Sequence, residues 1–283
     1  MTVGQIADKN ASRYVKDIDK VSEKLYGILI NVLAENTNSG NIEFDTDRLA
    51  RLEQIIVQSL IDAGYSTSTD DYLKSFGLIE EFNDKYYSKE NIKIVTQSEL
   101  ITTFNEKVLD QLRKNGLLNN IIKPLETIFR ESAIYNRTFK EANQLLQRAL
   151  IDKPILSRHV STLAYDYLHQ FDGVLNDEVK RRYDLKYFYY VGSIVEDSRP
   201  ICDHIRDNFG TRAVSTDQLK VILDTFCPNG IPSDVKITYQ TVSGENKTSK
   251  RGAGMIEGTI LENFSEKRGG HRCGHSVKWT RRP

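Results

Sequence analysis

The residues of this 283-residue chain that could do chemistry gather in its last third. His271-Arg272-Cys273-Gly274-His275 sets three potential metal ligands two positions apart. On an extended strand, positions i and i+2 project from one face about 6–7 Å apart, so neighbours in this run can turn toward one ion. The outer two stand about 13 Å apart and share an ion only where the chain bends. Cys273 and His275 are therefore expected to form one half of a site. Cys202-Asp203-His204 offers the other half from a distant segment. Cysteine and histidine in a closed tetrahedral set imply structural zinc and not a catalytic ion. The spacing is not that of a Cys-x-x-Cys knuckle. The competing reading is a metal-free cluster, with the cysteines buried as small apolar groups and the histidines bonded to backbone.

A second feature is basic. Lys267, Arg268, Arg272, Lys278, Arg281 and Arg282 fall in a terminal stretch that has no acidic residue and one tryptophan, Trp279. Such a stretch could touch phosphates or could be a solvated tail. Other chemistry is not legible. There is no phosphate-binding glycine loop, nucleophile elbow or His-Glu-x-x-His run. Arg251-Gly252-Ala253-Gly254 has no clear strand-turn-helix context. Glu196 and Asp197 are adjacent and would face opposite ways on a strand.

The elements that must position these residues change character near residue 190. Before it the pattern is helical, with no proline ahead of Pro124. Apolar positions three or four apart predict helices over 7–33, from Thr46 or Asp47 to Gly64, from a Ser68–Asp71 cap to Tyr87, and from Ser98 to about 112. Two more are predicted over 121–150 and from Pro154 through Val174. Their stripes read as ordinary bundle cores. After Leu185, Tyr187 to Ile194 is aromatic and β-branched, hence strand-like. Asp197-Ser198-Arg199-Pro200 reads as a turn, with Asp197 and Arg199 anchoring it by hydrogen bonds. A helix is predicted over 215–226, a strand over 235–239, a hairpin turn at Ser243–Asn246 and a closing strand over 275–279. For Cys202, Cys273 and His275 to converge, that closing strand must pair with the one beginning at Tyr187.

Composition supports a division at the same place. Residues 1–190 carry 25 basic and 28 acidic side chains, whereas 191–283 carry 14 and 11, a change from −3 to +3. All three cysteines and four of six prolines follow it. The predicted fold class is α+β, with a mainly helical region over 1–186 and a small α+β module over 187–283. A module this poor in apolar residues calls for a staple such as zinc. Zero net charge argues against a whole-chain polyanion binder. Three cysteines argue for a reducing cytosol. No secretory leader and no membrane span are expected.

The segment Tyr190-Val191-Gly192-Ser193-Ile194-Val195-Glu196-Asp197-Ser198-Arg199-Pro200-Ile201-Cys202 resembles the Asp-Ser/Thr-Arg-x-x-Cys element of the phage Mu F-like minor head proteins, the phage head morphogenesis family. Gly258-Thr259, Asn263-Phe264 and Arg268-Gly269-Gly270-His271-Arg272-Cys273-Gly274-His275 resemble that family's closing element, in which a glycine-rich lead meets a Cys-x-Cys or Cys-x-His pair. The likeness is specific over about 187–279 and architectural over 1–186. The chain departs from the pattern in its drawn-out Arg206–Gly210 segment and in His271, where a polar residue such as asparagine is usual. Cys202, Cys273 and His275 match the motif. His204 and His271 compete for a fourth ligand position, and Cys227, set in a loop by Pro228 and Gly230, is a weaker candidate.

The resemblance implies a virion protein and not an enzyme. It implies a location in the head interior, with the host cytoplasm as the place of assembly. It implies association with the phage portal protein, help in head morphogenesis and DNA packaging or delivery, and weak, non-specific contact with packaged DNA. Two other classes stay open, a cytosolic zinc-stabilised nucleic-acid-binding protein and a toxin or effector enzyme.

Overall fold

A computed structural model describes residues 2–95, 97–192, 199–232, 238–240, 246–248, 255–267 and 273–282. Nine α-helices described between Val3 and Tyr183 carry the predicted helical pattern. Their order is α1 (Val3–Glu35), α2 (Thr46–Ala50), α3 (Leu52–Ala63), α4 (Tyr65–Tyr87), α5 (Glu99–Arg113), α6 (Asn115–Leu117), α7 (Lys123–Ile134), α8 (Phe139–Gln147) and α9 (Ile155–Tyr183), with a two-stranded hairpin, β1 (Thr37–Asn38) and β2 (Asn41–Ile42), after α1. The stripe Tyr14, Ile18, Val21 and Leu25 of α1 is buried as expected. Farther along, Leu29 and Leu33 take over from Ile28 and Val32. The opening of α5 is as read, because the Ser98 hydroxyl accepts from the Ile101 N–H at 3.3 Å.

Three helical expectations are corrected. The helix from Thr46 breaks at Arg51 (φ −102°, ψ 6°) into α2 and α3. Ser68–Asp71 lie inside α4 and do not cap it, because Gly64 in the left-handed region (φ 98°) closes α3 and α4 starts at the next residue. The predicted 121–150 helix is two helices. Asn136 takes positive φ, and Thr138 starts α8 with a capping box to Glu141.

Past Tyr183 come β3 (Tyr187–Val191), α10 (Pro200–Phe209), β4 (Val214–Ser215), α11 (Thr216–Phe226), β5 (Thr238–Gln240), β6 (Asn246–Thr248), α12 (Phe264–Lys267) and β7 (Ser276–Thr280). The architecture is α+β, mainly helical with a small C-terminal sheet. That sheet is antiparallel with order β4-β3-β7. The closing strand does pair with β3, in the register Tyr187↔Thr280, Phe188↔Trp279 and Tyr190↔Val277. Ser215 caps α11 through a capping box with Gln218. Of the predicted strand 235–239, residues 235–237 lie outside the described residues, as do 243–245 of the predicted turn at Ser243–Asn246, whose last residue begins β6. No described helix is long and apolar enough to cross a membrane.

The chain forms two compact units. One comprises Met1–Asp8, Ser75–Phe104 and Tyr165–Pro283, the other Lys9–Lys74 and Asn105–Ala164. This division differs from the 1–186/187–283 partition expected above, because the C-terminal module shares a unit with parts of α4, α5 and α9.

The second unit is a helical bundle in which tyrosines bridge helices. Tyr14 stacks on Tyr72 at 4.5 Å, and the Tyr65 and Tyr72 hydroxyls donate to the Leu112 and Ala164 carbonyls at 2.8 Å. In the first unit β7 is buried along its whole length. One face of the sheet sets Trp279 against Phe188 at 5.0 Å and Phe188 against Phe264 at 5.7 Å. The other face turns Ser276 and Lys278 toward α9, where both bond the Asp172 carboxylate.

Candidate metal centre

The site begins with backbone direction. Cys273 and His275 lie just before β7 and, two apart, bring Sγ and Nδ1 to 3.7 Å from each other. Across the ladder, Tyr190 opposes Val277 and is the diagonal neighbour of His275. The Tyr190 and His275 rings stack at 4.8 Å with planes 14° apart. Gly192 follows on the same face of β3, where a Cβ would lie 2.6 Å from His275 Cδ2, and its φ is +152°. Glycine is thus required for the imidazole to sit where it does.

Cys202 lies in the first turn of α10, a helix that sequence reasoning did not anticipate, and of the expected turn at Asp197–Pro200 that precedes it, residues 197 and 198 lie outside the described residues. Arg199 is extended (φ −74°, ψ 148°) and serves as N-cap, and Pro200 opens α10, a position where its missing N–H is harmless. The Arg199 carbonyl accepts from the Asp203 N–H at 3.0 Å. Asp197 lies outside the described residues. Ile201 and Ile205, four apart, bury one side of α10.

The three donors that the resemblance singled out meet. Cys202 Sγ and Cys273 Sγ are 3.7 Å apart, and Cys273 Sγ is 3.7 Å from His275 Nδ1. All three ligand atoms lie within 4.8 Å of one another, and all three side chains are buried. Two sulfurs ~2.3 Å from one tetrahedral ion stand ~3.8 Å apart, and a sulfur and an imidazole nitrogen stand ~3.6 Å apart. The observed spacings match both. They do not match a disulfide, whose sulfurs are ~2.05 Å apart, and the cysteines are free thiols.

Without an ion between them the two thiols are held in the neutral form. The hydrogen bond with Cys273 and then burial push the Cys202 thiol well above its ordinary range. Two buried sulfurs at this distance cannot both ionise unless a positive ion sits between them. His275 Nε2 is buried without a hydrogen-bond partner, so the ring is held by stacking and by whatever Nδ1 binds. The group could hold a metal ion.

Other expected ligands fall elsewhere. Side chains two apart on a helix point about 200° away from each other, so α10 cannot turn both Cys202 and His204 to one ion. His204 Nδ1 instead lies 3.1 Å from Asn208 Nδ2, and its ring is 5.1 Å from Phe226. Cys227 is buried at the end of α11, outside the converging group. His271 lies outside the described residues.

The basic set divides as well. Arg281 and Arg282 are exposed and Lys267 is half-buried, with its ammonium on the Glu257 carbonyl at 3.1 Å. Arg268 and Arg272 lie outside the described residues. Lys278 is 3% exposed and bonded to Asp172, so it is a core residue and no phosphate ligand.

Sequence reasoning missed Tyr190, whose hydroxyl is 3.2 Å from Cys202 Sγ and 3.7 Å from Cys273 Sγ. It also missed the polar side of α9, where Asp172, Asn176, Asp177 and Glu178 are all buried. No protein-family model matches the chain, and neither the curated proteins nor the solved structures contain a match to it.

Proposed function

We propose that this chain is a minor head protein of a tailed phage, held in the head interior at the portal, and that a structural zinc ion on Cys202, Cys273 and His275 fixes its C-terminal module. One observation carries the reading. The two sequence elements that carry the resemblance, with cysteines 71 residues apart, end in a single buried cluster of metal-ligand geometry. A structural ion suits the site better than a catalytic one. The donors are shut away from solvent, and none of them lines the large concavity of about 1080 Å³ in the same unit.

The helical second unit offers long exposed helix surfaces for docking on portal helices. Lys267, Arg281 and Arg282, joined by Arg268 and Arg272, supply local positive charge for weak, sequence-independent contact with packaged DNA. The neutral whole chain keeps that contact from dominating its affinity. Assembly takes place in the host cytoplasm, and the protein assists head morphogenesis and the packaging or delivery of DNA.

The test is co-expression with the portal protein encoded in the same genome, followed by gradient purification and mass spectrometry of assembled heads. The reading expects a portal complex and a few copies per head. Heads that form with normal DNA content in its absence, together with no portal complex, would remove it.

A further inference from the structure

A closed tetrahedral site needs four donors, and the three-residue cluster leaves one place. We infer that the Tyr190 hydroxyl fills it, so that the ion is held by Cys202, Cys273, His275 and Tyr190. The inference rests on the metal reading above and names the residue that completes the site.

Distances carry it first. An oxygen and a sulfur bound to one tetrahedral zinc stand ~3.5 Å apart. Tyr190 Oη is 3.2 Å from Cys202 Sγ and 3.7 Å from Cys273 Sγ. It therefore stands off the two sulfurs by about the spacing that they keep from each other, 3.7 Å. Topology carries it second. β3 supplies Tyr190, α10 supplies Cys202, and the segment leading into β7 supplies Cys273 and His275, so the set ties three segments of the module together. Stacking on His275 fixes the phenol ring, leaving little of its freedom to be lost on binding. The alternatives read from sequence are weaker. His204 is turned away on α10. His271 is two positions from Cys273 and four from His275, a spacing that reaches one ion only through a bend.

Coordination through oxygen has a chemical signature. Binding a divalent ion displaces one proton from each cysteine thiol and one from the tyrosine hydroxyl, so three protons leave and three metal–ligand bonds to anions form, beside the neutral imidazole. The tyrosinate absorbs in the near ultraviolet where tyrosine does not.

The experiment titrates metal-free full-length protein with zinc and, separately, with cobalt(II). Near-ultraviolet difference absorption reads tyrosinate, and the thiolate-to-cobalt charge-transfer band reads the cysteines. The expected result is one ion per chain, one tyrosinate per ion, and about a tenfold or greater loss of affinity in Tyr190→Phe, with the tyrosinate signal gone and the thiolate band retained. His271→Gln should bind like the wild type. Should Tyr190→Phe and wild type bind with equal affinity and identical cobalt spectra, Tyr190 is not a ligand, though the metal centre stands. A wild-type protein with no thiolate–cobalt band would overturn the metal reading itself. Circular dichroism of Tyr190→Phe distinguishes a lost ligand from a lost fold.

Discussion

Lys278 and Asp172 form an ion pair at 2.8 Å with side chains 3% and 0% exposed, joining the last strand to the middle of α9 across 106 residues. The carboxylate also accepts from Ser276 Oγ at 2.7 Å and from Asn83 Nδ2 at 3.0 Å. Asn83 Oδ1 in turn accepts from the Lys278 ammonium. Nearby, the Tyr87 hydroxyl donates to Asn176 Oδ1 and accepts from the Trp279 N–H at 3.0 Å. Charges this deep survive because the lone pairs and protons find partners. The network specifies the register of β7, since a one-residue slip would send Lys278 to the aromatic face.

Removing one member should therefore be far worse than removing both. Lys278→Met leaves a buried carboxylate without its cation and is expected to lower the unfolding free energy by about 3–5 kcal/mol. The double replacement Lys278→Met with Asp172→Leu should recover a large part of that loss. Urea unfolding of the three proteins measures both quantities, and equal destabilisation of the single and double variants would show that the pair is not coupled.

Metal removal gives the second prediction. If zinc binds the native cluster alone, an excess at 100 times Kd stabilises the fold by about 2.7 kcal/mol. Chelation, or Cys273→Ser, should lower protection from amide exchange in β3, α10 and β7. The second unit, Lys9–Lys74 with Asn105–Ala164, should keep its protection. Uniform loss of protection in both units would mean that the ion does not act locally.

Much of this was legible in the sequence, and the failures have physical causes. Long helices with unbroken stripes, such as α1 and α9, declare themselves by period. The break at 136–138 was hidden because apolar residues continue through it, although Thr138-Phe139-Lys140-Glu141 carries a capping-box signature. Helix α10 was missed because Pro200 was read as closing a turn, whereas proline is also favoured at a first helical position. Spacing offered Cys273 with His275 and Cys202 with His204, and the resemblance singled out the three that meet. Neither offered Tyr190, since an aromatic in a strand is ordinarily core. Lys278 was misread because a charged residue in a basic stretch looks solvated until its distant partner Asp172 is known. The charge step near residue 190 marks the entry into the sheet, whereas α1, α4, α5 and α9 each give residues to both units, which no local composition reveals.

Asp177 provides a pH dependence. Burial drives its carboxyl up to about 7, against the lowering effect of N–H bonds from Ser265 and Glu266 at 3.2 and 3.0 Å. The unfolded chain releases this proton near ~3.9, so between about pH 4 and 7 the native state binds more protons and stability falls as pH rises. The contribution is full below the unfolded value and is lost through about 7. From pH 5 to pH 8 the loss is about 2–3 kcal/mol. Asp177→Asn should remove that slope, so its stability relative to wild type should improve between pH 5 and pH 8. A difference between the two proteins that does not change with pH would show that Asp177 ionises normally.

The last prediction separates the basic residues by burial. Counterion release makes non-specific binding fall with salt roughly in proportion to the number of phosphates neutralised. Arg281 and Arg282 are exposed at the end of β7, and no acidic residue stands within 267–283 to offset them. Arg281→Gln with Arg282→Gln should weaken binding to DNA of any sequence and reduce the slope of log affinity against log salt by about 2. Lys278→Gln should not act in this way. Its ammonium is enclosed by Asp172 and Asn83, so the substitution should lower stability while leaving the salt slope of the folded fraction unchanged. Fluorescence anisotropy with a labelled duplex at several salt concentrations measures the slopes, and urea unfolding measures the stabilities. A slope that falls by about 1 in Lys278→Gln would mean that the strand opens on DNA and that the buried pair is exchanged for a phosphate contact.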